Sequence, residues 1–253
     1  MSEKMQVQKT PAADSAQPLY APIKRRSFFM YAGATAGASA LLLAGCDDDD
    51  DNDNVNPNSG GVTDVGALGG GEVGVLNYAY ALEQLEAAFY QQVLAGGYFT
   101  GLAAGSAERQ ILTDIALHEA IHRDFFKAAL GTNAIKGLTP NFSAVNFGDK
   151  ASVLGTAKTF EDLGVAAYNG AGRFINTPAN LTLAGKIVSV EARHAALIRD
   201  LLAPNTFVGD DVVDFSLTTA TARQEKSKTP AQVLATANTF LANDSKVSAN
   251  SLI

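Results

Sequence analysis

The chain has 253 residues, of which 47% are hydrophobic and 18% charged, so it is long and apolar enough to form one sizeable domain or two small ones. It has no tryptophan and few aromatic residues, which favours helix over sheet. Because the net charge is −7 at pH 7, a nucleic-acid partner is excluded, and the single cysteine excludes a disulfide within the chain.

Residues 1–46 have the pattern of a signal peptide. Arg25-Arg26 precede Ser27-Phe28-Phe29 and an uncharged stretch that ends in Leu43-Ala44-Gly45-Cys46. The paired arginines resemble a twin-arginine export signal, and the last four residues resemble a bacterial lipobox, in which the cysteine is lipidated. We therefore expect an exported protein of the cell envelope that a lipid on Cys46 anchors to a membrane. The alternative is a transmembrane anchor in which Cys46 is an incidental thiol.

Residues 47–71 are predicted to form an acidic, Gly-rich flexible tether. Asp47–Asp51 and Asp53 are followed by a run of glycines that ends at Gly71. Such a composition remains solvated because it offers little apolar surface to bury. Loose calcium binding by the aspartates is the alternative to a simple spacer.

Four amphipathic helices are predicted within residues 72–203. Apolar residues recur at spacings of three and four over 73–94, over 106–130, from Asp149 onward, and from Thr177 to the residue before Pro204. Ser106 is a suitable N-cap for the second helix, and Thr177 with Pro178 for the fourth. Connections of roughly eleven, eighteen and five residues predict an all-α four-helix bundle with one long crossover.

Residues 204–253 are predicted to form a C-terminal extension. Thr229-Pro230 opens a short apolar stretch that runs to Leu241 and predicts a fifth helix packed on the outside of the bundle. Residues 205–228 and the last ten residues are polar and are expected to be irregular.

The motif Glu-x-x-His occurs twice, as Glu119–His122 and Glu191–His194, on the apolar faces of the second and fourth predicted helices. Residues three apart share one face of a helix, so the carboxylate and the imidazole of each pair can reach the same point. This combination of oxygen and nitrogen donors suits iron, manganese or zinc better than calcium.

The first and third predicted helices also match each other. Glu83 precedes Tyr90 by seven residues, and Glu161 precedes Tyr168 by seven. The order is thus a carboxylate helix, a Glu-x-x-His helix, and the same two again, which indicates a duplicated helical hairpin.

Charged side chains on four apolar helix faces would be costly to bury unless they were paired or bound to ions. Around two divalent cations they become a ligand set, because four carboxylates neutralise a total charge of four plus. The alternative is that they face solvent or form Glu–His pairs without a metal. The predicted ligands are Glu83, Glu119, His122, Glu161, Glu191 and His194.

This pattern resembles the ferritin-like di-iron carboxylate superfamily, in which two helices each supply a Glu and two supply Glu-x-x-His. The resemblance covers residues 72–203, and the segment from Leu82 to Tyr90 is similar to the exported ferritin-like group that includes desiccation-related proteins. It implies two iron ions, or alternatively manganese ions. It also assigns the roles: terminal ligands Glu83 and Glu161, bridging ligands Glu119 and Glu191, and one histidine, His122 or His194, on each ion.

Four further residues are predicted to lie beside the ligands: Glu86, Tyr90, His118 and Tyr168. Glu86 is one turn from Glu83 and can replace or join it. The tyrosines can hydrogen-bond a ligand or serve in electron transfer, with simple core packing as the alternative. His118 points about 100° away from Glu119 and is expected at the surface or behind a ligand. Beyond the metal ligands, no catalytic residue is predicted.

The leading functional hypothesis is a membrane-tethered di-iron protein whose reduced centre reacts with dioxygen or peroxide, as an oxidase, a ferroxidase or in a stress response. The second is a non-enzymatic stress or surface protein that binds metal only structurally or not at all. The third is a manganese catalase-like enzyme with a similar ligand set. The sequence predicts no oligomeric state.

Overall fold

The computed structural model describes residues 62–67, 71–218, 220 and 222–252. Within these residues the fold is the predicted all-α bundle, so the fold class is confirmed. The leader, Cys46 and residues 47–61 lie outside the described residues, so the signal peptide, the lipidation and the acidic spacer remain predictions.

Four long helices form the bundle: α1 (Gly71–Ala95), α2 (Ala107–Leu130), α3 (Lys150–Ala171) and α4 (Pro178–Leu202). A single helical turn, Gly97–Thr100, follows α1. The side chains of Ser106 and Asp149 cap α2 and α3 by accepting hydrogen bonds from the backbone N–H groups three residues further on. A short helix, α5 (Pro230–Ala237), begins with a capping box between Thr229 and Gln232.

The start of α4 is capped by a residue from another helix. Thr177 occupies the N-cap position as predicted, but its side chain makes no capping hydrogen bond. Instead the carboxylate of Glu72 in α1 accepts hydrogen bonds from the backbone N–H groups of Asn176 and Thr177 and from the Asn180 side chain. A carboxylate at this place satisfies free N–H groups and opposes the positive end of the helix dipole, so it ties α4 to α1.

The helices pack as two hairpins, α1 on α2 and α3 on α4. The crossover between them is held by α1. The fully buried Asn77 side chain donates to the carbonyl of Asn133 and accepts from the N–H of Ile135, and Gln84 accepts from the N–H of Leu138. On the other hairpin, the buried Arg199 of α4 forms a bidentate ion pair with Asp162 of α3, with both contacts at 2.7 Å.

Two short strands join the ends of the described chain. Strand β1 (Val62–Asp64) pairs in parallel with β2 (Lys246–Ser248), with Val62 opposite Lys246. Val62–Asp64 lie within the predicted tether and form a strand, and the last ten residues are not wholly irregular. The fifth helix is also shorter than predicted, since it ends at Ala237 and a 3-10 turn, Asn238–Phe240, follows.

Among the described helices, none combines the length and the apolarity that a membrane span requires.

Candidate metal centre

The six predicted ligands, which come from all four long helices, converge at the middle of the bundle. Each is buried, and Glu119, Glu161 and Glu191 are fully so. Their ligand atoms fall into two groups of four residues, in each of which the atoms all lie within 4.8 Å of one another. The groups are Glu83, Glu119, His122 and Glu191, and Glu119, Glu161, Glu191 and His194.

The first group is centred on His122. Its Nδ1 atom lies 2.8 Å from Oε1 of Glu191 and 3.5 Å from Oε2 of both Glu83 and Glu119. Three helices, α1, α2 and α4, therefore present oxygen or nitrogen atoms to one point.

The second group is nearly a copy of the first, centred on His194. Its Nδ1 atom lies 2.8 Å from Oε1 of Glu119, 3.5 Å from Oε2 of Glu161 and 3.8 Å from Oε2 of Glu191. Glu119 and Glu191 belong to both groups, with different oxygens turned to each histidine. This is the arrangement expected of two adjacent cation positions that share two carboxylates.

The atoms that face these two points lack other partners. His122 Nδ1, His194 Nδ1 and both carboxylate oxygens of Glu119 and Glu191 are buried without an aligned hydrogen bond among the described residues, as are Oε2 of Glu83 and Glu161. The 2.8 Å contacts are thus close approaches rather than directed hydrogen bonds. Unpaired buried donors and acceptors are rare because each costs about 1–3 kcal/mol. A set of carboxylate and imidazole atoms left unpaired around two common points fits metal ions.

Comparison with known protein families agrees with this geometry. The family model for the ferritin-like domain matches residues 71–204, which are more than half of the chain. The chain belongs to the ferritin-like domain family. No curated protein matches it. The match covers the four helices of the bundle and all six predicted ligands, whereas the narrower likeness to desiccation-related proteins remains a prediction.

In this ferritin-like domain, burial and crowding shift the pKa values of the ligands. Burial raises the pKa of the Glu83 carboxyl to about 7, and burial with repulsion from Glu119 raises that of Glu191 well above its ordinary range. Burial acts in the same direction on Glu119, but the two imidazoles outweigh it and hold its pKa at about 2. Burial disfavours charged His194, yet the neighbouring carboxylates raise its pKa to about 10. Without a cation, the cluster holds protons at neutral pH.

The two tyrosines hydrogen-bond ligands across the bundle, so core packing is not their only role. Tyr168 of α3 donates to Oε1 of Glu83 in α1 at 2.5 Å, and Tyr90 of α1 donates to Oε1 of Glu161 in α3. Each tyrosine thus orients the terminal carboxylate of the other hairpin. The two bonds are related by the same two-fold repeat that relates the ligand groups.

Glu86 lies beside the cluster, and the other hairpin has no carboxylate at the equivalent position. It is buried, and burial with repulsion from Glu119 and Glu191 raises its pKa well above the ordinary range. Its Oε1 atom lies 3.3 Å from the place that a Cβ of Gly164 would occupy, and Oε2 of Glu191 lies 3.6 Å from that place. Gly164 holds in α3 the position that Glu86 holds in α1. Aligning the two hairpins on Glu83 and Glu161 would have revealed this glycine, which the sequence analysis did not single out.

His118 is exposed and also supports a ligand. Its Nδ1 atom lies 2.8 Å from Nε2 of His194, on the side of that ring opposite the carboxylates, and the two rings stack with centroids 5.1 Å apart. A hydrogen bond to the outer nitrogen of a ligand histidine fixes its ring and tautomer. His118 directly precedes Glu119 in α2, and the equivalent residue of α4, which directly precedes Glu191, is Val190. The support that His118 gives to His194 is therefore not repeated for His122.

Proposed function

We propose that this ferritin-like protein binds two divalent metal ions, with iron as the physiological metal, and that the reduced centre reacts with dioxygen or peroxide. The observation that supports it is the pair of four-residue groups that share Glu119 and Glu191 and whose facing atoms are buried and unpaired. Four buried carboxylates would repel one another, and two divalent cations offset that charge.

In this proposal the residues of the cluster have separate roles in metal binding. Glu119 and Glu191 would hold both ions, and Glu83 with His122 and Glu161 with His194 would complete the two positions. Tyr168 and Tyr90 orient the terminal carboxylates through the hydrogen bonds described above. Burial of the whole set keeps bulk water away. Bound iron would supply the electrons that reduce the oxidant.

Metal content tests the proposal most directly. The full chain is stripped with chelator, supplied with ferrous iron without oxygen, and analysed for iron after removal of excess ion. We expect about two iron ions per chain, as in the ligand set of this bundle class. Glu119→Gln should lose at least one of them, because both groups contain Glu119. Glu108→Gln, on the same helix but ion-paired with Lys150 away from the cluster, should lose none.

The alternatives are outcomes of the same experiment. A chain that retains neither iron nor manganese, and whose melting temperature chelation leaves unchanged, contradicts a metal centre and supports a non-enzymatic bundle. Retention of manganese together with rapid peroxide turnover supports a manganese catalase-like enzyme. Oxygen consumption on adding ferrous iron, absent in Glu119→Gln, supports the oxidase.

We also propose export and lipid anchoring in the cell envelope, which the Arg25-Arg26 pair and the motif that ends in Cys46 support. Cys46→Ser should move the protein from the membrane fraction to the soluble exported fraction. If Cys46→Ser remains in the membrane, the anchor is a transmembrane stretch and not a lipid.

A further inference from the structure

One end of the bundle contains an apolar cavity of about 40 Å³. It lies among the first turns of α1 and α4 and the last turns of α2 and α3, and the residues around it are almost all apolar. At its outer end Gly172, Ile175 and Asn180 are only half-buried, so the cavity reaches the end of the bundle.

Three alanines line the cavity at positions where the other hairpin has larger residues. Ala167 and Ala171 of α3 line it, and they occupy the positions that Phe89 and Val93 hold in α1 when the hairpins are aligned on Glu161 and Glu83. In the same way Ala184 of α4 corresponds to Leu112 of α2.

At the opposite end of the bundle those large residues fill the space. Phe89 packs edge-on against Phe160 and Phe142, with ring centroids 5.0 and 5.7 Å apart, and Val93 and Leu112 are almost completely buried. The two ends of a nearly symmetric bundle therefore differ: large side chains pack at one end, and the cavity lies at the other.

The inner end of the cavity adjoins the first ligand group. Tyr168 lines the cavity and donates its hydroxyl proton to Glu83. Phe126, one turn after His122, and Ile187, one turn before Glu191, line it as well. A molecule in the cavity is thus separated from the group of Glu83 and His122 only by the side chains next to those ligands.

The polarity of the cavity selects what can enter. Among the described residues that line the cavity, the Tyr78 hydroxyl is the one buried side-chain polar group without a partner, so a guest finds a single free polar group there. The Tyr168 hydroxyl is engaged by Glu83, and the Asn180 amide donates to Glu72. A buried water needs two to four polar partners, whereas an apolar cavity accepts apolar guests. Water and hydrogen peroxide therefore find too few partners, and an apolar diatomic gas does not need them.

We propose that this cavity is the entry route for dioxygen to the ligand group of Glu83 and His122. The proposal rests on the proposed function of the centre. It also makes the two cation positions unequal, because the group of Glu161 and His194 faces the filled end of the bundle.

The first test needs no reaction. The full chain with ¹³C-labelled alanine methyl groups is loaded with zinc, which is diamagnetic and redox-inert, and proton relaxation is measured under increasing dissolved dioxygen. We expect the Ala79 and Ala167 methyl groups, at the cavity, to relax several-fold faster with dioxygen than the Ala157 methyl group, which is the equivalent of Ala79 at the filled end. Equal effects at Ala79 and Ala157 would overturn the proposal.

Variants that fill the cavity with larger side chains test the same proposal. Ala171→Val and Ala184→Leu install the residues of the filled end, separately and together, and should abolish the dioxygen effect at Ala79. Ala151→Val makes the same change at an exposed position of α3 and should leave it intact. Circular dichroism and melting temperature identify any variant that fails to fold, and the single variants then replace the double one.

The second test uses the ferrous-loaded chain. The filled variants should be oxidised several-fold more slowly than the unaltered chain by dioxygen, and at an unchanged rate by hydrogen peroxide. Equal slowing by both oxidants, or no slowing by dioxygen, overturns the route. If the unaltered chain does not react with dioxygen, the proposed function fails, while the relaxation test still decides whether dioxygen enters the cavity.

Discussion

At the scale of single residues, the centre is organised by bonds that cross between the hairpins. Each tyrosine lies on the same helix as one terminal glutamate and hydrogen-bonds the other, so Tyr168 holds Glu83 and Tyr90 holds Glu161. A carboxylate with one oxygen bound to a tyrosine has its other oxygen directed to the shared point. The hydroxyl groups therefore determine the orientation of two ligands without being ligands themselves.

Tyr168→Phe should weaken metal binding by about tenfold, because residues that orient ligands typically contribute 10–100-fold to affinity. The measurement is competition with a chromophoric chelator, using zinc as the ion. Tyr78→Phe is the control, since its hydroxyl is buried but has no hydrogen-bond partner among the described residues. Its affinity should be unchanged, and its stability equal or slightly higher. An unchanged affinity in Tyr168→Phe would mean that Glu83 is oriented by packing alone.

The sequence predicted which six residues converge, because each ligand lies on an apolar helix face and the spacing of three places Glu and His together. It did not decide what the tyrosines do, nor that His118 reaches His194. Those contacts depend on how far the two hairpins are offset along the bundle axis. That offset is set by side-chain packing between helices that are distant in sequence.

At the scale of secondary-structure elements, the C-terminal extension is built onto α3. The N–H of Lys228 donates to the carbonyl of Ala166, which places the backbone of Lys228 directly over Gly170. A Cβ at Gly170 would lie 1.8 Å from the carbonyl oxygen of Lys228. The residue is a glycine because the two backbones touch, and the contact brings the chain to Pro230, where α5 begins.

Gly170→Ala should destabilise the fold by about 1–3 kcal/mol, because overpacking forces the extension away from α3. Gly155→Ala in the same helix is the opposite control. Apart from the backbone of its own helix, no atom lies within 4 Å of its added Cβ, so the change should stabilise the chain by about 0.5–1 kcal/mol through the helix propensity of alanine. Thermal unfolding of both variants measures the difference. A Gly170→Ala chain as stable as the unaltered one would show that the Lys228 segment does not pack closely.

The helices themselves were predictable from apolar periodicity and caps, including the start of α5 at Pro230. The pairing of Val62–Asp64 with Lys246–Ser248 was not, because three-residue strands carry almost no pattern and their partner is far along the chain. The capping of α4 by Glu72 could not be predicted for the same reason. Glu72 lies more than 100 residues before the helix that it caps, and only the tertiary fold brings them together.

At the scale of the whole molecule, the centre makes the stability of the fold depend on pH, and this dependence has opposite signs in the metal-free and the metal-bound chain. In the metal-free chain, burial raises the pKa of Glu83 from 4.5 to about 7, and it also raises the pKa values of Glu86 and Glu191 well above their ordinary range. The folded state then binds more protons than the unfolded state above pH 4.5, so its stability falls as pH rises. His194 adds to this above pH 6.5, since its folded pKa is about 10. Glu119, with a pKa of about 2, is ionised in both states over this range.

The melting temperature in excess chelator should therefore decrease between about pH 5 and pH 8. One pKa unit corresponds to about 1.4 kcal/mol, so Glu83 alone contributes on the order of 3 kcal/mol over its window. Metal binding requires the deprotonated ligands and displaces these protons, so with saturating zinc the melting temperature should increase over the same range. Glu119→Gln should retain the downward trend in chelator and show a weaker upward trend with zinc, because both ligand groups contain Glu119. Parallel curves with and without zinc would mean that the cluster binds no metal and that its charges are balanced within the protein.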